Sequence, residues 1–288
     1  MLHRQRTLLD FLRLAGGQAT SLQLTKWCFL LGRECSELAG PSFYEFLPYK
    51  YGPYSFCLRQ EMEALAQQGY LHQQPSGSSW VLSDLGHEAA RGTPKALASG
   101  ARQIHWKYGR RSSEELLDDV YARYPWFTIN SERERLATRP SAKIAVFTSG
   151  YEGLTVDGFL NRLLHSGIRR ILDVRNNPVS RRYGFHKSTL ARLAEKTGLQ
   201  YVHLPELGIR SELRAELNTQ ADYDALFAQY RATTLSTEKK ALKRTADLVR
   251  EIPSVLVCIE ALPCQCHRSH LAESMASLTG LPVQHLRD

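Results

Sequence analysis

Two short segments concentrate the residue types that do chemistry. Asp173-Val174-Arg175-Asn176 lies at the end of an apolar run, residues 168–174, and Glu260 follows another, residues 254–259, shortly before Cys266-His267-Arg268. Two carboxylates at strand ends of one sheet suit hydrolysis of a glycosidic bond. One holds or deprotonates a water while the other stabilises a cationic, sugar-like transition state. Asp173 and Glu260 are the candidate catalytic pair, and the competing role for Asp173 is a buried ion pair with Arg175 or Arg268. Around them, Arg175, Arg181, Arg182 and Arg268 offer guanidinium forks for phosphate. His267 and Arg268 open a helix, whose first N–H groups favour an anion. Tyr151 and Tyr183 are candidates to stack on a base, as is Phe185 unless it anchors the core. Glu152, Asn176 and Ser180 complete the expected substrate contacts.

The cysteines suggest rival chemistry. Zinc commonly takes four ligands in paired Cys-x2-Cys spacings, whereas here only Cys264-x-Cys266-His267 is local, so no metal and no cofactor are expected. A Cys266 thiolate, activated by Arg268 and a helix N-terminus, would serve a cysteine-dependent transferase or phosphatase. Yet the residues after Cys266 lack the glycine loop that cradles phosphate in such enzymes. Cys258 sits inside an apolar run and is expected in the core.

These groups need a scaffold that aligns strand ends. From Lys143 onward apolar strands (residues 144–147, 168–174, 200–204, 254–259 and 283–286) alternate with helices (156–165, 190–197, 223–235, 238–251 and one starting near 267). The alternation predicts an α/β domain over 143–288 with a mainly parallel, doubly covered, Rossmann-like sheet. Ligands of such sheets bind outside the carboxyl ends of the strands, which selects the loops at 149–153, 173–185, 205–210 and 260–268. Their text, TSGYEG, LDVRNNPVSRRYGFHKSTL, YVHLPELG and LVCIEALPCQCHRSHLA, resembles the DUF488 family. That family repeats Gly-Tyr-Glu/Ser, Asp-Val-Arg with a following Pro and Ser-Arg, a Leu-Gly turn, and Cys-x-Glu followed by Cys-His-Arg. The resemblance spans residues 144–286 and implies the fold and the site, but no substrate.

The first part of the chain reads differently. Helical spacing over residues 6–14, 21–38 and 55–69, then Tyr70-Leu71-His72 and Trp80-Val81-Leu82 as a hairpin, make a mostly helical, winged-helix-like module over 1–92. The segments FLPYKYGPYS and LRQEMEALAQQGYL resemble the SocA-like and Panacea antitoxin modules, which share a Tyr-Gly-Pro turn before a helix. Tyr49, Tyr51 and Tyr54 suit either that module's own core or stacking on nucleic acid. Residues 93–142 read as a linker with one helix, capped by Ser112-Ser113 and ended before Pro125.

Net charge is +8, and between Arg162 and Arg192 eight basic residues stand against Asp173 alone. Clustered Lys and Arg reward a polyanion through counterion release, so nucleic acid, most directly DNA, is the expected partner. No apolar run of about 18 residues exists and the six cysteines form no secreted framework. The chain therefore reads as cytoplasmic, with no membrane partner. No Walker loop or Ser-His-Asp arrangement is visible. The expectation is a nucleic-acid-directed enzyme, a DNA glycosylase excising a modified base that it flips from the stack. The antitoxin resemblance implies action against foreign, phage DNA. The alternatives are the Cys266-dependent enzyme and a non-enzymatic DNA-binding regulator that senses a nucleotide.

Overall fold

The computed structural model describes residues 1–75, 77–214, 217 and 219–286, and they divide into two compact units, Met1–Thr138 and Arg139–Asp288. The first is mostly helical. Its elements are α1 (His3–Leu14), β1 (Gln18–Thr20), α2 (Ser21–Glu34), α3 (Ser36–Ala39), β2 (Leu47–Tyr49), β3 (Gly52–Tyr54), α4 (Phe56–Gln67), β4 (Leu71–Gln73), β5 (Ser79–Leu82), α5 (Asp84–Arg91), α6 (Lys95–Tyr108) and α7 (Ser113–Arg123). The expected hairpin is β4–β5, and β1 adds to it as a third antiparallel strand with Ala19 opposite Trp80. Thr20 starts α2 through a reciprocal bond with Gln23, which satisfies two backbone donors at once.

The aromatic loop is a second hairpin, β2–β3, turned at Gly52, where φ is +80° and an added Cβ would meet the Tyr121 ring at 2.8 Å. The buried Lys26 holds this turn, donating from Nζ to the carbonyls of Tyr51 (2.5 Å) and Pro53 (2.8 Å). Tyr49 and Tyr54 pack on each other and on Phe56 at centroid separations of 5.0–5.5 Å, while Tyr51 is exposed.

The stretch expected as a linker is largely core. Helix α6 buries Leu97, Ala101, Ile104 and Tyr108 in the same cluster as Leu8, Trp27 and Leu30. Its small residues, which suggested an irregular crossing, instead permit close helix packing: a Cβ on Gly100 would lie 2.5 Å from Leu31 Cδ1. Helix α7 begins where the sequence placed it, with Ser112 and Glu115 forming a capping box.

The second unit alternates β6 (Val146–Gly150), α8 (Val156–His165), β7 (Arg170–Asp173), α9 (Lys187–Lys196), β8 (Gln200–His203), α10 (Gln220–Ala232), α11 (Thr234–Thr237), α12 (Lys239–Glu251), β9 (Ser254–Cys258), α13 (His267–Thr279) and β10 (Val283–His285). The five strands form one sheet in the order β10-β6-β9-β7-β8, every pairing parallel. Val146, Leu172 and Leu256 pack with side chains of α10, α12 and α13. The residues between them, Phe147, Ile171 and Val255, are also buried, so both faces of the sheet are covered. Strand β6 runs further than its apolar text suggests. Thr148, Ser149 and Gly150 are polar or small, yet all three pair with β9, because a buried ladder satisfies their backbone groups.

Candidate functional site

The carboxyl ends of β6, β9 and β7 lie side by side in the sheet, and the expected site residues fall into two networks there. Asp173 ends β7 and is fully buried. Its Oδ1 accepts from Arg175 N (3.2 Å) and Nε (2.8 Å), and its Oδ2 from Arg175 Nη2 and Tyr201 OH, both at 2.5 Å. A carboxylate offers about four lone-pair positions, so these four bonds leave none for a water. Arg175 is equally enclosed: Nη1 donates to Tyr151 OH and to the carbonyl of Phe185, each at 2.8 Å. Burial opposes the Arg175 charge, but the bonds to Asp173 outweigh it and raise its pKa. The same carboxylate, after burial, pushes the Tyr201 hydroxyl up.

This is the ion pair expected as the alternative role of Asp173, and it removes Arg175 from the set able to fork a phosphate. Tyr151 stacks on Phe185 at 4.0 Å with 10° between the rings, and both are buried. They wall the ion pair, and no face of either is open to a base. Tyr201 and His203, whose Nε2 lies 2.9 Å from the Arg175 carbonyl, belong to this network and escaped the sequence reading. Their place on β8, directly beside β7 with Tyr201 opposite Ile171 and His203 opposite Asp173, is invisible without the pairing.

Glu260 belongs to the second network. Its Oε2 lies 3.2 Å from the Cys258 Sγ, and Cys258 in turn lies 3.7 Å from His267 Nδ1. Cys266 Sγ is 3.9 Å from the same nitrogen, and the ligand atoms of Cys258, Cys266 and His267 all fall within 4.8 Å of one another. Cys258 is therefore more than core. Burial first, then Cys258 and Glu260, push the Cys266 thiol well up. That shift runs against the thiolate a Cys266 nucleophile requires. Arg268 is 1% exposed, so it too is out of reach of a phosphate in solution. Its Nη groups donate to the carbonyls of Glu260 (2.5 Å) and Ala261 (2.9 Å).

Solvent reaches a different subset. Glu152, Arg181 and Arg182 are exposed, and Ser180, Tyr183 and Asn176 half-buried. Glu152 is fixed in place: its Oε2 accepts from Ala261 N at 2.9 Å, and the amides of Tyr151 and Glu152 donate to the Ile259 carbonyl. Gly150 permits this close seam between the two loops, since a Cβ there would sit 1.9 Å from the Glu260 carbonyl oxygen. Ser180 Oγ accepts from Arg182 N, bending the arginine-bearing loop after β7. Beyond β7 a cavity of about 520 Å³ opens, lined by Asn176, Glu206, Arg210, Gln229, Tyr230 and Thr233 among others. Its α10 wall has no signal in the strand-end rule used to select loops.

The basic run divides. Arg169 and Arg170 lie at the amino end of β7, and Arg170 is buried against Gln200, the Leu248 carbonyl and Glu251. Arg181 and Arg182 lie past its carboxyl end. The excess positive charge is thus not one face, because a strand carries its two ends to opposite edges of the sheet.

No curated protein matches the chain. Residues 155–275, spanning α8 to α13, match a family described as a domain of unknown function. The Asp-Val-Arg motif of the buried ion pair and the Cys-x-Glu and Cys-His-Arg motifs of the second network all fall within this match to the DUF488 family model.

Proposed function

We propose that the protein is a nucleic-acid-directed enzyme that hydrolyses an N-glycosidic bond, with DNA as the substrate class, working in the cytoplasm. The observation that carries this reading is Glu152: a solvent-facing carboxylate held by the Ala261 amide at the carboxyl edge of the sheet. Fixed and exposed, it is suited to orient a water and to offset positive charge on the sugar, the role first assigned to Asp173. Asp173 then acts as the anchor of Arg175. The loop after β7 brings Arg181 and Arg182 for phosphate, and the 520 Å³ cavity beyond it is within the size range of small-ligand sites, enough for a flipped base. In this reading the sheet is Rossmann-like, and the N-terminal unit, with α1, α2, α4 and the β4–β5 hairpin, is a winged helix that grips the duplex.

The test incubates the full chain with DNA bearing normal and modified bases, then heats in alkali to break strands at abasic sites. Breaks are expected with the wild-type chain and not with Glu152→Gln. Absence of abasic product on every DNA tried refutes the proposal. Arg181→Ala with Arg182→Ala is expected to lower the slope of log affinity against log salt by about 2, since each phosphate contact contributes roughly 0.9. An unchanged slope removes both arginines from the interface.

A further inference from the structure

We propose that Cys258, Cys266 and His267, with Glu260 beside Cys258, form a binding site for a thiophilic divalent cation, zinc by the chemistry of its donors. The sequence argued against a metal because its Cys-x-Cys-His text has awkward spacing. The fold supplies the missing ligand from elsewhere: Cys258 comes from the end of β9, while Cys266 and His267 come from the start of α13. The set is then two thiols and an imidazole, donors that suit zinc.

The sulfur–nitrogen distances agree with tetrahedral ligation by the three donors. Zinc–sulfur and zinc–nitrogen bonds of about 2.3 and 2.0 Å give sulfur–nitrogen edges of about 3.5 Å. The two observed sulfur–Nδ1 separations are 3.7 and 3.9 Å, and Glu260 Oε2 stands 3.2 Å from Cys258 Sγ. The ring is also set in the orientation that ligation requires. His267 Nε2 lies 3.2 Å from the Val174 carbonyl, which can only accept, so Nε2 carries the proton. With Nε2 donating to that carbonyl, Nδ1 faces the two sulfurs. A ligating histidine held by its other nitrogen on a backbone carbonyl is the usual outer-shell arrangement of metal sites.

Arg268 lies beside the set. Its guanidinium is buried, bonded through Nη1 and Nη2 only to backbone carbonyls, and its Nε has no hydrogen-bond partner among the described residues. A zinc ion bound to two thiolates and a neutral imidazole carries no net charge, and the positive field of Arg268 lies beside the thiolates. The backbone N–H groups at the start of α13 add to the same field. Binding releases the two thiol protons to solvent. Cys264 is exposed and outside the set.

The site joins β9 to α13 and takes no part in the hydrolysis proposed above, so metal content tests it without reference to activity. The full chain, reduced and stripped with a chelator, is offered zinc chloride or cobalt chloride. About one equivalent of zinc is expected by elemental analysis. Cobalt is expected to give a near-ultraviolet thiolate charge-transfer band and the visible bands of a four-coordinate ion. Cys264→Ser leaves both unchanged, and Cys266→Ser lowers the charge-transfer band by about half or abolishes it. A folded wild-type chain that retains no zinc and shows no cobalt–thiolate band overturns the proposal. So does a full-strength band in folded Cys266→Ser, or a Cys258–Cys266 disulfide in place of metal.

Discussion

The Asp173–Arg175 pair makes the sharpest division between a structural and a chemical role. Replacing Asp173 with Asn keeps the shape but removes the charge and turns one oxygen into an NH2 donor. That donor would face groups that themselves donate, Arg175 Nη2 and Tyr201 OH if it takes the place of Oδ2. Arg175, 4% exposed, is then left as a buried cation with neutral neighbours. Breaking one side of a buried ion pair costs about 3–5 kcal/mol. For a domain of this size about 1 kcal/mol moves the melting temperature by roughly 2–4 °C, so Asp173→Asn is expected to lower the transition of the C-terminal unit by roughly 6–20 °C.

Tyr201→Phe removes only one charge-assisted bond and is expected to cost about 1.5–3 kcal/mol. The cycle adds a further check. Arg175→Met combined with Asp173→Asn is expected to cost less than the sum of the single changes, because only the double variant leaves no unpaired charge behind. Scanning calorimetry and urea titration measure all four chains. If Asp173→Asn melts with the wild-type protein yet loses base excision, the carboxylate is catalytic and the argument from its four bonds is wrong.

Two further outcomes follow from burial. Burial lowers the Lys26 ammonium to about 7, whereas the unfolded chain keeps a lysine near 10.4. Between those values the unfolded state binds one proton more, so this group makes stability of the N-terminal unit rise with pH by about 1.4 kcal/mol per unit, with no further loss below about pH 7. Lys26→Met is expected to remove that slope in urea titrations, and an identical slope in the variant refutes the assignment. Gly150→Ala would drive a methyl into the Glu260 carbonyl and is expected to cost at least about 1–3 kcal/mol as overpacking. It should also speed hydrogen exchange at the amides of Tyr151 and Glu152, and protection equal to wild type would show that the seam yields elsewhere.

How far the sequence could be read follows from the range of the forces involved. Capping at Ser112, the β4–β5 hairpin and the five apolar strands of the C-terminal unit are set by neighbours within a few residues, and they stand where periodicity placed them to within a few positions. Helix α6 was misread because Gly100 and Ala101 are weak local signals, and only the facing side chain of Leu31 explains them. The site was misread for a related reason. Pleat alternation says that Asp173 and Arg175 share a face but not whether that face meets water. Here it meets Tyr151, Phe185 and Tyr201, and enclosure turns a plausible acid and a plausible phosphate fork into one neutral pair. The opposite happened to the cysteines. A parallel sheet returns each strand end to a common edge through an intervening helix, so Cys258 meets Cys266 and His267 through the turn from β9 into α13. Motif spacing along a chain underestimates ligands on a strand-to-helix turn, because the turn, and not the residue count, sets the distance between them.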